Sequence, residues 1–307
     1  MEIARVTMIP PVFTLPAPAK LNLFLHITGR RDDGYHNLQT LFQLLNIGDE
    51  LDFYTTANPE AKVYENGLSL SCSNPALESK DNLVFRAAQH LQNQIQKNGS
   101  NTQSISAHIH LKKKLPFGGG IGGGSSDAAT TLLGLNHLWD AKQSEGELAN
   151  IGQQLGADIP VFIRGKTAFA EGIGEKLTPV TLEEKWYVVI APNCHVSTPQ
   201  IFSHKDLTRD TPVIKVAASL ERDTKNDCET LVKTLYPDVN EALKWLSKFG
   251  QSRMTGTGSC VFLPCVSEEK AVEVLSMKPS KFNGFIAKGV NQSPLHEQLL
   301  SHYATGV

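Results

Sequence analysis

"LPFGGGIGGGSSDAAT", residues 115–130, places six glycines in seven positions, then two serines and an aspartate. Glycine loses the most backbone freedom on folding, so a run of them needs a reason. The flanks supply one. Ahead of the run, "SISAHIHLKKKLP" alternates apolar residues at Ile105, Ala107, Ile109 and Leu111, which predicts a strand. Behind it, "SSDAATTLLGLNHLW" spaces Ala128, Leu132, Leu135 and Trp139 at helical intervals. Ser125 or Ser126 is the expected N-cap, and Asp127 suits the positive helix end. In a strand–loop–helix unit the loop N–H groups converge on an anion, and glycine lets that anion approach. Phosphate binding is therefore favoured over a plain packed loop. A Rossmann reading fails because a second helix, not a strand, follows the first. A Walker A reading fails because no lysine follows Gly123 or Gly124.

The rest of the chain bounds the answer. It has 307 residues, 40% apolar and 20% charged, enough for one large domain or two ordinary ones. A net charge of −2 gives no reason to expect a nucleic-acid partner. No apolar run is long enough for a membrane span, and the N-terminus lacks the pattern of a secretory signal. Five scattered cysteines fit a reduced, cytoplasmic setting rather than a disulfide framework. Cys260 and Cys265 have no second ligand pair for zinc.

Local patterns place further elements. "KLNLFLHI" (20–27) alternates, with Leu21, Leu23, Leu25 and Ile27 on one face and Lys20, Asn22, Phe24 and His26 on the other. A turn at Asp33-Gly34 leads to a second strand in "LQTLFQLLNIGDELDFYT". "SKDNLVFRAAQHLQNQIQ" predicts a helix starting near Ser79 or Asp81, and "SEGELANIGQQLG" one with a Ser144–Glu147 capping box and Gly156 at its end. "LTPVTLEEK" (177–185) is a plausible linker. Beyond it "WYVVIAP", a helical stretch divided at Pro237, "CVFLPC", "SEEKAVEVLSM" and "FIAKGV" give a β-α-β-α-β order, an α+β unit with helices on one face.

Taken together, several motifs are recognisable. "PFGGGIGGGSSDAA" resembles the phosphate-binding motif of the GHMP kinases. "PAKLNLFLHITGRRDDGYHNLQTLFQ", "GADIPVF", "AEGIGE", "TPQIF", "TGTGSCVF" and "GVNQSPLH", in this order, resemble one family within them, the 4-diphosphocytidyl-2-C-methyl-D-erythritol kinases. The similarity runs from about Pro18 to about His296. The stretch before Pro18 looks longer than the family needs. The resemblance implies an α+β, two-domain fold: an N-terminal nucleotide-binding domain, here residues 1–178, and a C-terminal ferredoxin-like domain, here 179–307. It implies ATP-dependent phosphorylation of the 2-hydroxyl of 4-(cytidine 5′-diphospho)-2-C-methyl-D-erythritol, in the non-mevalonate route to isoprenoids. The partner is then a small molecule carrying cytidine diphosphate, with no nucleic acid and no membrane. Oligomeric state stays open.

The same resemblance assigns residues. Lys20, otherwise a solvated strand-end lysine, becomes the electrostatic stabiliser of the transferred phosphoryl. Asp158, otherwise a turn aspartate, becomes the base. Pro116, Phe117, Gly118, Gly119, Gly120, Ile121, Gly122, Gly123, Gly124, Ser125 and Ser126 hold ATP. Asn22 orients the substrate. Tyr35 and His36 contact the cytidine by stacking and hydrogen bonding, and Phe202 supplies a second platform in a wall shaped by Thr198 and Pro199. Mg²⁺ is expected with the ATP phosphates, its ligands unassigned. "TGTGSC" (255–260) faces the site. "KKK" (112–114) reads as a solvated strand end by itself, and its place just before the phosphate loop gives an expectation that Lys113 approaches the nucleotide. His108 and His110 belong to the polar face of their strand.

Overall fold

The computed structural model describes residues 10–58, 61–97, 105–221 and 224–305. The chain opens on two long strands, β1 (Phe13–Arg30) and β2 (His36–Tyr54). They close at the expected turn. Gly34 takes φ +86°, and Arg31 N–H donates to the Tyr35 carbonyl at 2.8 Å. Glycine adopts that left-handed conformation without a Cβ clash.

β1 departs from its sequence pattern twice. It begins at Phe13, inside the stretch taken as an N-terminal extension, with Phe13, Leu15 and Ala17 buried. Among the described residues its ladder partner is β2, with one isolated bridge further along at Leu25, so Pro16 and Pro18 can lie on a free edge where no donor is needed. Register shifts then fall between Pro18 and Lys20, Asn22 and Leu25, and Ile27 and Gly29. Each irregularity re-aims the side chains that follow. Leu21 packs in one core with Tyr187 and Phe262, whereas Leu25 and Ile27 pack in another with Val188 and Ile190. Lys20 and Asn22, expected on a half-exposed face, are 2% and 4% exposed.

Next come β3 (Val63–Glu65), β4 (Leu68–Cys72), α1 (Leu83–Lys97) and β5 (Ala107–Lys112). Ala87, Leu91 and Ile95 bury one stripe of α1. Its start is held by Asn82, whose Oδ1 accepts from Val84 N–H, and not by Ser79 or Asp81. Then follow α2 (Gly123–Leu138), α3 (Glu145–Leu155), α4 (Ile159–Arg164), β6 (Ala168–Gly172) and β7 (Lys176–Pro179). The Ser144–Glu147 capping box is formed, and Gly156 ends α3.

The second half runs β8 (Trp186–Ala191), α5 (Thr198–Ser203), α6 (Val216–Glu221), α7 (Glu229–Leu235), α8 (Pro237–Leu246), β9 (Arg253–Met254), β10 (Val261–Cys265), α9 (Glu268–Ser276), β11 (Asn283–Val290) and α10 (Pro294–Thr305). Pro237 separates α7 from α8 as its missing N–H requires.

The strands form one mixed sheet in the order β3-β4-β5-β2-β11-β8-β10-β9, with β1 and β6 also paired to β2 and β7 to β6. Only β4 and β5 run parallel among these ladders. β11 joins the halves by pairing with β2 at Gly289 and Val290 and with β8 along Asn283–Lys288. Helices α1–α4 cover the first half's core. Val232, Val239, Leu243 and Val274, from α7–α9, pack in the second. Leu295 and Leu299 carry α10 back onto the first core. All five cysteines are free. Among the described residues no helix is long and apolar enough to cross a membrane.

Candidate active site

The glycine stretch leaves β5 and enters α2, as its flanks require. Gly118, Gly120 and Gly122 take φ of +67°, +72° and +76°. α2 begins at Gly123 with Gly122 at its N-cap, three residues earlier than a Ser125 cap and four earlier than a Ser126 cap would set it. Ser126 is instead fully buried, with its Oγ unpartnered. The crowding explains the glycines. A Cβ on Gly120 would lie 2.4 Å from the Thr255 carbonyl, one on Gly119 2.4 Å from Cys260 Sγ, and one on Gly118 2.5 Å from His195 Nδ1. Gly119 and Gly120 therefore let this loop press onto the second glycine-rich loop, 255–260, and Gly118 lets it pass His195. Cys260 N–H donates to the Gly119 carbonyl across that contact at 3.0 Å. At Gly123 and Gly124 a Cβ would meet nothing closer than 3.5 Å. Their N–H groups and that of Ser125 lie in the first turn, where a helix offers no carbonyl partner. An anion is the natural partner there.

Lys20 lies beneath this loop. Its N–H donates to the Ile121 carbonyl at 2.9 Å. Its Nζ donates to Asn22 Oδ1 at 2.6 Å and to the Gly120 carbonyl at 3.0 Å, and pairs with Asp158 Oδ2 at 3.0 Å. Asn22 Nδ2 donates in turn to Thr40 Oγ1 at 2.9 Å, which fixes its amide. Asp158 occupies the N-cap position of α4 but makes no capping bond. Pro160 in that first turn lacks the N–H such a bond would serve. The carboxylate is thus turned to Lys20, with a third of its side chain still exposed.

Lys113 is no solvated strand end. Its Nζ sits between Asp49 and Asp127, 2.9 Å from Asp127 Oδ2. Asp49 Oδ1 also accepts from the N–H groups of Lys114 and Leu115, at 2.5 and 2.8 Å, and so fastens the entry to the loop. Burial alone would lower the Lys113 pKa, but the two carboxylates outweigh it and raise it. Burial pushes the Asp127 carboxyl up to about 8, against the pull of Lys113. Lys112 and Lys114 pair with Asp52 and Glu50 and are partly exposed. His108 and His110 bond to Ser69 and Ser71 of β4, as a polar strand face does.

Lys20, Asn22, Asp158, Lys113 and the glycine loop line one cleft of about 690 Å³. Thr198, Phe202 and Thr257 line it from the second half. Thr198 and Thr257 hydroxyls meet at 2.7 Å, tying α5 to the second glycine loop. The His36 ring lies 5.2 Å from that of Phe202, tilted by 32°. Tyr35, 61% exposed at the hairpin tip, exposed Pro199, and buried His36 and Ser126 are not among the cleft-lining side chains. Three participants carried no local signal. Arg209 bonds to His36, Asp49 anchors Lys113, and His195 faces Phe117 across the mouth of the loop, their rings 6.4 Å apart.

The GHMP kinase N-terminal domain matches residues 82–166, and the GHMP kinase C-terminal domain matches 213–283. The 4-diphosphocytidyl-2-C-methyl-D-erythritol kinase of Marinobacter nauticus is 53% identical, covering 93% of this chain and 97% of its own. That of Hahella chejuensis is 51% identical, covering 93% and 96%. The chain belongs to the 4-diphosphocytidyl-2-C-methyl-D-erythritol kinase family. A crystal structure of a 4-(cytidine 5′-diphospho)-2C-methyl-D-erythritol kinase superposes with a TM-score of 0.75 at 29% identity, over 91% of this chain and all of that one. A mevalonate kinase superposes at 0.65 and 15% identity, over 91% and 100%, and shares the fold. Family membership makes the α+β fold that of a GHMP kinase and the chain a kinase with ATP as co-substrate.

Proposed function

We propose that this cleft transfers the γ-phosphoryl of ATP to the 2-hydroxyl of 4-(cytidine 5′-diphospho)-2-C-methyl-D-erythritol, yielding the 2-phosphate and ADP. The observation that carries the chemistry is the 3.0 Å pair of Lys20 Nζ and Asp158 Oδ2 beside the glycine loop. Asp158 takes the proton of the tertiary hydroxyl. The oxygen so freed attacks the γ-phosphorus, and the bond from that phosphorus to the bridging oxygen of ADP breaks. Lys20 stabilises negative charge on the attacking oxygen and the passing phosphoryl. Asn22, with its amide fixed by Lys20 and Thr40, presents a hydrogen-bonding group to the substrate.

Residues 116–126 hold the triphosphate through the first-turn N–H groups of α2. Mg²⁺ fits the same end of the cleft. Ser125 and Asp127 line it with oxygen donors, and Asp127 Oδ1 is buried without a partner. Mg²⁺ is commonly held by one or two protein oxygens together with phosphates. Those two residues would hold it, Asp127 giving up its proton as the ion binds, and it would neutralise phosphate charge.

The cytidine lies toward Phe202 and His36, with Thr198 and Pro199 shaping the wall and Tyr35 of the hairpin stacking on the base. Residues 1–178 supply the nucleotide side and 179–307 much of the opposite wall. A cytoplasmic setting suits an enzyme with five free thiols.

ADP release over a panel of alcohols tests the assignment. Turnover with the cytidine diphosphate substrate should exceed that with mevalonate or homoserine by orders of magnitude. Faster turnover with either of those would overturn it.

A further inference from the structure

Arg209 lies in the segment that follows α5, and its guanidinium reaches the His36 ring, which lies beside Phe202. Nη2 donates to the carbonyls of Phe202 and His204 at 3.0 and 2.7 Å, and Nη1 to that of Leu207 at 3.1 Å. Nε donates to Nε2 of His36 at 3.0 Å. The segment is anchored just beyond. Thr211 N–H donates to the Ile27 carbonyl of β1 at 3.1 Å, and its hydroxyl donates to Asp227 Oδ2 at 2.7 Å.

A guanidinium has donors and no acceptor. The Nε2 of His36 must therefore be the acceptor, which leaves it without a proton. Burial lowers the His36 pKa, and Arg209 and Arg30 lower it further, so the ring is neutral. A neutral imidazole with Nε2 bare carries its proton on Nδ1. His36 is thereby committed to donate through Nδ1.

We propose that Arg209 fixes the tautomer of His36 and so makes the pyrimidine wall a hydrogen-bond donor, a polarity that selects cytosine over uracil. This rests on the cytidine pocket proposed above. Cytosine offers acceptors at N3 and O2 of its Watson–Crick edge; uracil carries an N–H at position 3. A donor fixed against N3 is satisfied by cytosine and meets a second donor on uracil. A buried donor left without its acceptor costs far more than an average hydrogen bond gains, so the mismatch discriminates strongly. Arg209 acts through His36 and is a positioning residue. With Arg209 replaced, the ring can protonate at Nε2 and accept through Nδ1, serving either base.

Two measurements test this on the full chain. In ¹⁵N-histidine-labelled protein, the His36 resonances should report the proton on Nδ1. In kinetics, the ratio of kcat/KM for the cytidine diphosphate substrate to that for its uridine analogue should fall about tenfold or more in Arg209→Gln, with the ATP KM unchanged. A merely structural role for Arg209 would weaken both substrates alike and leave the ratio intact, which would overturn the proposal. A wild-type His36 protonated on Nε2 would overturn it as well, and decides the matter alone if Arg209→Gln does not fold. His36→Ala separates the underlying reading. An unchanged KM for the cytidine substrate in that variant would mean the pocket itself is misplaced.

Discussion

Lys20 Nζ and Asp158 Oδ2 stand 3.0 Å apart, one from the first strand and the other from the turn before α4. The ammonium is almost wholly buried, yet it is fully furnished: Asp158, Asn22 Oδ1 and the Gly120 carbonyl surround it, and the Phe42 ring lies 5.3 Å away. A buried charge persists only with such partners. One of these acceptors, the Gly120 carbonyl, belongs to the glycine loop, so the charge is positioned by the element proposed to hold the phosphates.

The glycines of that loop should separate by variant. Gly122→Ala places a Cβ 2.8 Å from the Phe162 ring at a φ of +76°, so it should lower stability by about 1–3 kcal/mol. Gly124→Ala meets only Leu83 at 3.6 Å, and alanine favours the helix by about 0.5–1 kcal/mol. Its melting temperature should hold or rise while ATP affinity falls. Calorimetry of unfolding and of ATP binding checks both. Undiminished ATP affinity in Gly124→Ala would show that the first turn of α2 does not hold the phosphates.

The pyrimidine wall has its own test. Phe202→Ala and Tyr35→Ala should each weaken binding of the cytidine substrate by roughly 1–3 kcal/mol, the usual worth of a base stacked on an aromatic ring. The KM for ATP should stay put. If neither variant moves the substrate KM, the pocket is elsewhere.

Asp127 gives a pH signature. Its folded pKa, about 8, exceeds the ordinary 3.8, so the folded protein keeps a proton that the unfolded chain has released. The stability this contributes is complete below about pH 4 and is lost as pH rises through 8. Asp127→Asn removes the titration and nearly preserves the shape. Its melting temperature relative to wild type should therefore be higher at pH 9 than at pH 6. An equal difference at both values would mean that Lys113 keeps Asp127 charged throughout.

Features written in neighbouring residues could be read directly. The Ser144–Glu147 capping box, the Gly34 turn and the break at Pro237 each depend on a few adjacent positions, and each forms as expected. Features decided by distant partners could not. The stretch before Pro18 looks like an addition to the fold, yet Phe13–Ala17 sit in β1, whose free edge tolerates Pro16. Ser125 and Ser126 look like helix caps, but the φ available to Gly122 starts α2 earlier. Lys113 looks solvated because nothing in its neighbourhood announces Asp49. Arg209 likewise meets His36 only through the fold.

The most direct test of the account is steady-state turnover of Asp158→Asn. This variant keeps the size of the side chain and removes the proton acceptor, while Lys20 retains Asn22 and the Gly120 carbonyl. A positioned base is worth about 10²–10⁴-fold in rate. Turnover should fall by that factor in a protein that still folds and still binds ATP and the cytidine substrate. Lys20→Met should also be slow, and the double variant little worse than the slower single one, as expected for groups that act as a unit. Near wild-type turnover in Asp158→Asn would contradict the assignment of Asp158 as the base.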